Sequence, residues 1–242
     1  MPRHARYIVP DIALHVIQRG HNRNACFRDD TDRMVYLATL AELIGKTACA
    51  LHAYCLMGNH IHMLLTPPTP QACARLMRNL GQRYAQYFNR RYERIGTLWQ
   101  GRYRSCLVDS APYVLACYRY IERNPVRAAM VSSPSAYRWS SFDGNSGRSC
   151  NRLLVPHLEY LALAADDGSR QHAYSLMLGE ADDAGFLTAI REATNGAIPL
   201  VGAQIKAKLE AQSGRPLEHK KPGRPPAANK PTLDDLTGQL GF

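Results

Sequence analysis

The sequence has no run of about 20 apolar residues, which is the length that a membrane-spanning helix needs. It also has no apolar segment after its first residues, Met1-Pro2-Arg3-His4, where a secretory signal would carry one. We therefore expect a cytoplasmic protein without a membrane partner.

Cysteine pairs are missing as well, because none of the seven cysteines belongs to a CxxC motif. An odd and scattered set of cysteines indicates neither a disulfide framework nor a zinc ribbon. Several of them have apolar neighbours, which is typical of small core residues in a reducing compartment.

Three common catalytic motifs are also absent. The chain has no GxxxxGK[ST] loop, so it predicts no nucleotide cofactor. It has no HxE motif followed by a CxxC pair, as a zinc deaminase requires, and no HExxH helix, as a zinc protease requires.

Acidic residues are few: 20 Asp and Glu stand against 30 Lys and Arg, which gives a formal net charge of +10. This excess favours a polyanionic partner. From residue 83 to residue 127, nine arginines face three acidic residues and alternate with aromatic residues. Arginine suits phosphate and aromatic rings stack on bases, although a solvated basic helix above core aromatics has the same composition. The arginines predicted to bind nucleic acid are Arg83, Arg90, Arg91, Arg102, Arg104, Arg119, Arg123 and Arg127, with Arg224 in the C-terminal tail.

Composition divides the chain into three parts. A Gly-, Ser- and Asn-rich break at 144–150 predicts a domain at 1–145 and a helical extension at 151–212. The basic tail at 213–242 is rich in Pro, Gly, Lys and Ala, which predicts disorder. Within it, 220–226 resembles the core of an AT-hook, whose arginine enters a narrow minor groove, but a plain basic linker has the same composition.

The order of predicted elements indicates an α+β fold. Alternation and turn residues predict strands at 12–19, 50–57, 60–66 and 98–108, with helices beginning near Asp29 and at about 71–91. This β-α-β-β-α-β order is the ferredoxin-like palm, an antiparallel sheet with helices on one face. A third helix is predicted from Ser110 to 124–125, followed by helices at 156–165, 181–193 and 200–212.

The strand at 60–66 carries two histidines, His60 and His62, on one face. Two such histidines can bind one metal ion, although two surface histidines beside a sheet look the same. A histidine-triad hydrolase needs a third histidine where this chain has Leu64. The remaining possibility is a nuclease in which the histidines hold a divalent ion on the scissile phosphate and a tyrosine attacks it. The other histidines, including His15, are interpreted as ordinary surface or core residues.

The third helix contains two neighbouring tyrosines with different expected roles. Tyr118 belongs to a stripe at helical spacing with Val114, Cys117 and Ile121, which predicts a core position. Tyr120 and Asn124 lie off this stripe, four residues apart on one side of the helix. Tyr120 is therefore predicted to be presented and Tyr118 to be structural.

The string Asn59-His60-Ile61-His62, together with Tyr118-Arg119-Tyr120-Ile121-Glu122-Arg123-Asn124-Pro125-Val126-Arg127-Ala128, resembles the single-tyrosine HUH transposases of bacterial insertion sequences. More narrowly, it resembles the REP-associated tyrosine transposases. The resemblance covers about residues 7 to 145. It implies an enzyme that cuts and rejoins DNA beside hairpin-forming palindromic repeats through a covalent 5′-phosphotyrosine.

The resemblance also implies a set of site residues and partners. Tyr120 matches the nucleophile, His60 and His62 match the metal ligands, and Asn124 stands where relatives often have a glutamine ligand. Oxygen and imidazole ligands suit Mg or Mn. The expected partner is single-stranded or hairpin DNA, bound by a monomer or homodimer associated with the nucleoid. The alternative is a non-catalytic nucleic-acid-binding protein or regulator on the same palm.

Overall fold

The computed structural model describes residues 6–180, 184–196, 198–213 and 217. The predicted tail, including Arg224 and the AT-hook-like segment, lies outside the described residues apart from 213 and 217. The strands are β1 (Ala13–Arg19), β2 (Ala50–Leu56), β3 (His60–Thr66) and β4 (Arg104–Val108). The helices are α1 (Asp30–Thr47), α2 (Pro70–Arg91), α3 (Ala111–Glu122), α4 (Asn124–Arg127), α5 (Phe142–Asn145), α6 (Leu158–Leu161), α7 (Asp167–Gly179), α8 (Ala184–Gly196) and α9 (Ala203–Ser213). No described helix combines the length and the apolar character that crossing a bilayer requires.

The strands form one antiparallel sheet in the order β2-β3-β1-β4. This is the strand order of the ferredoxin-like fold, and it confirms the predicted palm. The helices α1 and α2 pack against each other on one face of the sheet, while α3 and α8 cover the other face.

The register of the two central strands decides which side chains share a face. Ile17 of β1 lies opposite His62 of β3, and Arg19 lies opposite His60. Directly opposed residues of antiparallel strands point to the same side, and alternate residues along a strand do the same. His15 therefore shares the α3 side of the sheet with His60 and His62.

The hairpin turn before β3 is fixed by the loop that follows β1. The Gly20 N–H donates to the Asn59 carbonyl at 2.9 Å, and the Cys26 N–H donates to the Gly58 carbonyl at 2.9 Å. A Cβ atom at position 20 would lie 2.2 Å from the Asn24 carbonyl oxygen, so only glycine fits there. These contacts hold the first residue of β3, His60, in a defined place.

Helix α3 ends earlier than predicted, at Glu122. Pro125 has no N–H with which to continue the helical bonding to the Ile121 carbonyl. The Asn124 side-chain amide donates instead, to the Ile121 carbonyl at 3.4 Å and to the Tyr120 carbonyl at 3.0 Å. The core stripe of α3 is confirmed, because Val114, Cys117, Tyr118 and Ile121 are all fully buried.

One strand boundary differs from the prediction, and one helix is not predicted. The strand expected at 98–108 begins only at Arg104, because Gly101 turns the chain with a φ of 88° and Trp99 makes only an isolated bridge to Gly20. Helix α7 was not predicted. Its buried residues are only Arg170, Tyr174 and Leu178, and a stripe of three with a charged member gives little amphipathic signal.

A buried carboxyl group ties α3 to the C-terminal region. Glu122 is fully buried and accepts hydrogen bonds from Ser141 Oγ at 2.5 Å, Asn145 Nδ2 at 2.8 Å and Tyr174 OH at 2.6 Å. Burial raises the pKa of this carboxyl to about 7. The helix that carries Tyr120 is therefore fastened to α5 and α7 through its last residue.

Replacing Glu122 with Gln should change how stability depends on pH. The pKa of Glu122 is about 7 in the folded state and 4.5 ordinarily, so the folded state holds the proton more tightly. Its contribution to stability is complete below the unfolded value and is lost as the pH rises toward 7. In urea unfolding, Glu122→Gln should therefore gain about 2 to 3 kcal/mol over the wild type between about pH 5 and about pH 8.

The exposed Glu93 provides the matched control, because Glu93→Gln should follow the wild type at each pH. If Glu122→Gln also follows the wild type, the Glu122 carboxyl is already ionised in the folded protein at the lower pH.

Candidate active site on the palm

The two histidines of the HxH motif lie side by side at the start of β3. The ring centroids of His60 and His62 are 4.9 Å apart. His60 is partly exposed, whereas His62 is only 2% exposed. The structure thus confirms that both rings lie on one face of a strand.

A third histidine, which the sequence analysis assigned to ordinary surface or core positions, completes the cluster. His15 of β1 is fully buried, and its Nε2 lies 3.0 Å from Nδ1 of His62. The two rings stack with centroids 5.2 Å apart. On its other side, His15 Nδ1 lies 2.9 Å from Thr194 Oγ1 of α8.

The hydrogen bonds of Thr194 determine where the protons of this chain lie. The Thr194 hydroxyl donates to the Ile190 carbonyl at 2.8 Å, so toward His15 it can only accept. His15 therefore carries its proton on Nδ1, and its Nε2 accepts a hydrogen bond from the Nδ1–H of His62. His62 is left with a free lone pair on Nε2, which is the form that binds a metal.

A different contact gives His60 the same tautomer as His62. Its Nδ1 lies 2.6 Å from the side-chain oxygen of Asn59, which can only accept a hydrogen bond. The proton of His60 is therefore on Nδ1 and its Nε2 lone pair is free. The Asn59 amide nitrogen donates to the Arg23 carbonyl at 2.9 Å, which fixes the orientation of the amide.

All three rings are kept neutral by burial. Burial lowers the pKa of His15 to about 3 and that of His60 to about 4, and it lowers the pKa of His62 well below its ordinary value. The positive charge of Arg127 adds to this effect at His15 and His62. Near neutral pH the three rings are therefore uncharged. The Nε2 lone pairs of His60 and His62 are then available to bind a divalent metal.

Tyr120 of α3 meets this cluster directly. Its ring packs edge-on against His62 and His15, with both centroid distances at 5.6 Å. The prediction that Tyr120 is presented is wrong, because its side chain is only 6% exposed and its ring packs against the two histidines. Tyr118, by contrast, is fully buried, and its hydroxyl accepts a hydrogen bond from the His157 N–H.

Two further residues, Arg127 and Asn124, contact Tyr120. The Arg127 guanidinium lies 4.3 Å from the centre of the Tyr120 ring and donates to the Tyr120 carbonyl. Asn124 lies one turn after Tyr120, and its amide nitrogen is used by the helix end. The Asn124 oxygen is not used by these bonds, and its role as a metal ligand stays a prediction.

The sequence of this chain was compared with models of known protein families. Residues 8–124 match the family model described as IS200-like transposase. The segment 8–124 is therefore an IS200-like transposase domain. No curated protein sequence matches it.

A solved structure shares the fold of this IS200-like domain. One, described as a REP-associated tyrosine transposase bound to a REP hairpin, is 15% identical and aligns over 65% of this chain and 92% of its own, with a TM-score of 0.51. Another, a candidate transposase from Deinococcus radiodurans R1, is 19% identical over 54% of this chain and 92% of its own, with a TM-score of 0.35. At this identity the first likeness shows a shared fold.

The IS200-like domain offers few ligands for a metal besides the two histidines. In the part of the chain that the structure describes, no group of three or more His, Cys, Asp or Glu side chains could hold a metal ion. Further ligands would have to be neutral or external oxygens, such as the Asn124 amide, water or a phosphate. This donor set fits Mg or Mn bound together with a nucleic acid.

Six of the eight arginines that are proposed for DNA contact and lie in the described residues fall into two groups. Arg83 forms an ion pair with Glu42 at 2.7 Å, and Arg91 pairs with Asp29 and the buried Asp32, each at 2.6 Å, so both join α2 to α1. Arg119 pairs with Glu180, while Arg123 donates to the Leu178 carbonyl. A DNA contact by these four residues stays a prediction.

The other group lies at the edge of the sheet. A cleft is lined by Arg102, Arg104 and Arg19, beside Asn195 of α8. Burial and the neighbouring Arg23 and Arg104 lower the pKa of Arg19, which shows how closely positive charge is collected there. Because Arg19 is opposite His60, this cleft leads away from the histidines.

Sequence reasoning missed His15 and Thr194. In the sequence His15 is one of several alternating residues of a strand. Its contact with His62 follows only from the pairing of β1 with β3. Thr194 lies 179 residues away in α8. The one available signal was a histidine in a strand predicted to be central, where a buried imidazole needs a partner.

Nitrogen-detected NMR of the histidines should show an unusual tautomer pattern. Free neutral histidine favours the proton on Nε2, whereas His15, His60 and His62 should all carry it on Nδ1. In Thr194→Val the acceptor for His15 is lost, so His15 and His62 should both move their protons to Nε2 while His60 is unchanged.

Thr47→Val is a matched control, because Thr47 is also buried in a helix and donates to a carbonyl four residues back. It should leave all three tautomers as in the wild type. A wild-type His62 that is already protonated on Nε2 would contradict the assignment.

Proposed function

We propose that this protein is a metal-dependent transposase that cuts and rejoins single-stranded DNA at hairpin-forming palindromic repeats. The observation that carries the proposal is the contact of the Tyr120 ring with His62, next to His60, on the face of a ferredoxin-like sheet. The similar solved structure described as a REP-associated transposase bound to a REP hairpin supports hairpin DNA as the substrate and the REP-associated group as the subfamily.

The metal would be held by His60 and His62 through Nε2, with the Asn124 oxygen as the third protein ligand. When bound, Mg or Mn supplies positive charge that offsets the charge on the scissile phosphate. The chain prepares for this by fixing both ligand tautomers, through Asn59 for His60 and through His15 for His62.

The Tyr120 phenol gives up its proton to solvent as its oxygen forms a bond to phosphorus. The bond from phosphorus to the 3′ oxygen breaks, and this oxygen takes up a proton from solvent and leaves as a 3′-hydroxyl. Arg127 lies over the Tyr120 ring and holds it in place through a cation–π contact. The resulting 5′-phosphotyrosine retains the energy of the phosphodiester. Rejoining to another 3′-hydroxyl then needs no nucleotide cofactor.

The nucleophile can be tested by trapping the covalent adduct. We expect full-length protein, incubated with Mn and labelled hairpin oligonucleotides with randomised stems and flanks, to give an adduct that resists SDS. Tyr120→Phe should give none, because it keeps the ring contacts and loses only the attacking oxygen. Tyr118→Phe should keep the adduct, because its hydroxyl bonds the His157 backbone.

The opposite pattern, in which Tyr120→Phe still forms the adduct and Tyr118→Phe does not, would show the wrong nucleophile was assigned. Wild-type protein that binds hairpins but forms no adduct with Mg or Mn would support the non-catalytic binding protein instead.

Metal ligation can be tested without activity, by calorimetric titration of Mn. His62→Ala should weaken Mn binding beyond about 100-fold because it removes a ligand, and Thr194→Val should weaken it about 10-fold by changing the His62 tautomer. Asn124→Ala should fall between the wild type and His62→Ala. His172→Ala, at an exposed histidine of α7, should bind Mn like the wild type.

If Asn124→Ala binds Mn as tightly as the wild type, Asn124 is not a ligand and ends the helix only. If Thr194→Val is equally unaffected, the hydrogen-bond chain does not prepare His62 for the metal.

A further inference from the structure

The cleft at the edge of the sheet, called the edge cleft below, is small and lined by arginines. Arg19, Arg102 and Arg104 line it together with Asn195. Its volume is about 60 Å³, which is space for about four water molecules. Sites for small organic molecules usually have roughly 300–1,000 Å³, so the edge cleft suits a small anion.

Strand register places the edge cleft beside the histidines. Arg104 of β4 lies opposite Ile17 of β1, and Ile17 lies opposite His62 of β3. Arg19, two residues after Ile17, lies opposite His60. All these side chains share one face of the sheet, because opposed and alternate residues point to the same side. Two strand spacings, roughly 10 Å, separate the backbones of Arg104 and His62.

The edge cleft collects positive charge that has no acidic partner. Within the part of the chain that the structure describes, Arg19, Arg102 and Arg104 form no ion pair. Burial lowers the pKa of Arg19, and so do the positive charges of Arg23 and Arg104. The guanidinium of Arg19 is thus poorly solvated and repelled by its neighbours. An anion bound between these arginines offsets that repulsion.

Neutral groups hold the arginines in place. The Arg104 guanidinium donates a hydrogen bond to the Asn195 side-chain oxygen. The Gln100 N–H donates to the Arg19 carbonyl at 2.8 Å, and Gly101 turns the chain beside it with a φ of 88°. These partners fix the walls of the edge cleft without cancelling its charge, so the charge stays available to a ligand.

Arg19 connects the edge cleft with the proposed active site. While burial lowers the pKa of Arg19, the Tyr120 oxygen acts in the opposite direction, which puts this oxygen within electrostatic reach of the guanidinium. Next to burial, the charge of Arg19 also lowers the pKa of His60. An anion in the edge cleft therefore lies close to the group that Tyr120 attacks, but one strand further along the sheet.

We propose that the edge cleft is a phosphate subsite, in which Arg19, Arg102 and Arg104 bind the phosphate that neighbours the scissile phosphate on the same DNA strand. The inference rests on the proposed function, because it takes DNA as the substrate. Phosphate contacts position a strand without reading its sequence. With the neighbouring phosphate held here, the scissile phosphate is placed over His60 and His62.

Replacing single phosphates by neutral methylphosphonates tests the subsite. Hairpin oligonucleotides are first selected from randomised stems and flanks for binding to the full-length wild type, and each flank phosphate is then replaced in turn. The adduct with Tyr120 identifies the scissile phosphate, and binding is measured without added metal so that the DNA stays uncut. The wild type should lose about 10-fold in affinity when the phosphate beside the scissile one is neutral.

Arg104→Met should bind unmodified DNA about 10-fold more weakly than the wild type and lose nothing further at that same position. Arg104 is exposed, so the substitution should leave the fold intact. Arg19→Met removes a charge that its neighbours repel, and it should give the same non-additive result. It replaces Arg104→Met if that variant does not fold.

Arg152→Met is the matched control. Arg152 is exposed and lies two residues before Leu154, which pairs with β2 at the opposite edge of the sheet. This variant should repeat the wild-type scan, with the same loss at the same phosphate.

Losses that add at every position would overturn the subsite, and so would a non-additive position that does not adjoin the scissile phosphate. In both cases the adduct with Tyr120 still establishes the proposed function. If the wild type binds hairpins but forms no adduct, the proposed cleavage fails, whereas non-additive losses at one flank phosphate still support the edge cleft as a phosphate site. If the wild type binds no DNA hairpin, both fail together.

Discussion

The pairing of β1 with β3 at the centre of the sheet is the constraint on which the proposed site depends. It brings His15 beside His62, although 47 residues separate them in the chain. Burial then removes water as a partner, so each imidazole must find its hydrogen bonds within the protein. The acceptor at the end of this series of hydrogen bonds is Thr194, and a helix far along the sequence thereby contributes to the proposed metal site.

The sheet uses its two faces for different purposes. One face holds the histidines beneath α3 and α8, and the other packs against α2 around Gln18. Several of the arginines that contribute to the positive net charge form ion pairs between helices, as Arg83 and Arg91 do. Others, such as Arg102 and Arg104, line the cleft at the edge of the sheet.

Much of the fold was predictable from local pattern. The order of strands and helices, the common face of His60 and His62, and the core position of Tyr118 all follow from the period of two in strands and 3.6 in helices. The early end of α3 was less predictable, because it depends on how the Asn124 amide replaces the N–H that Pro125 lacks. Helix α7 was missed because only three of its residues are buried.

By itself the sequence determined the elements and the chemistry that they carry, since periodicity and turn residues act through the backbone of neighbouring residues. It thereby supplied the two histidines and the tyrosine. Only the tertiary structure decided that His15 and Thr194 meet them, through strand register and helix packing. Contacts of this kind depend on residues distant in the chain, and no local pattern encodes their distance in space.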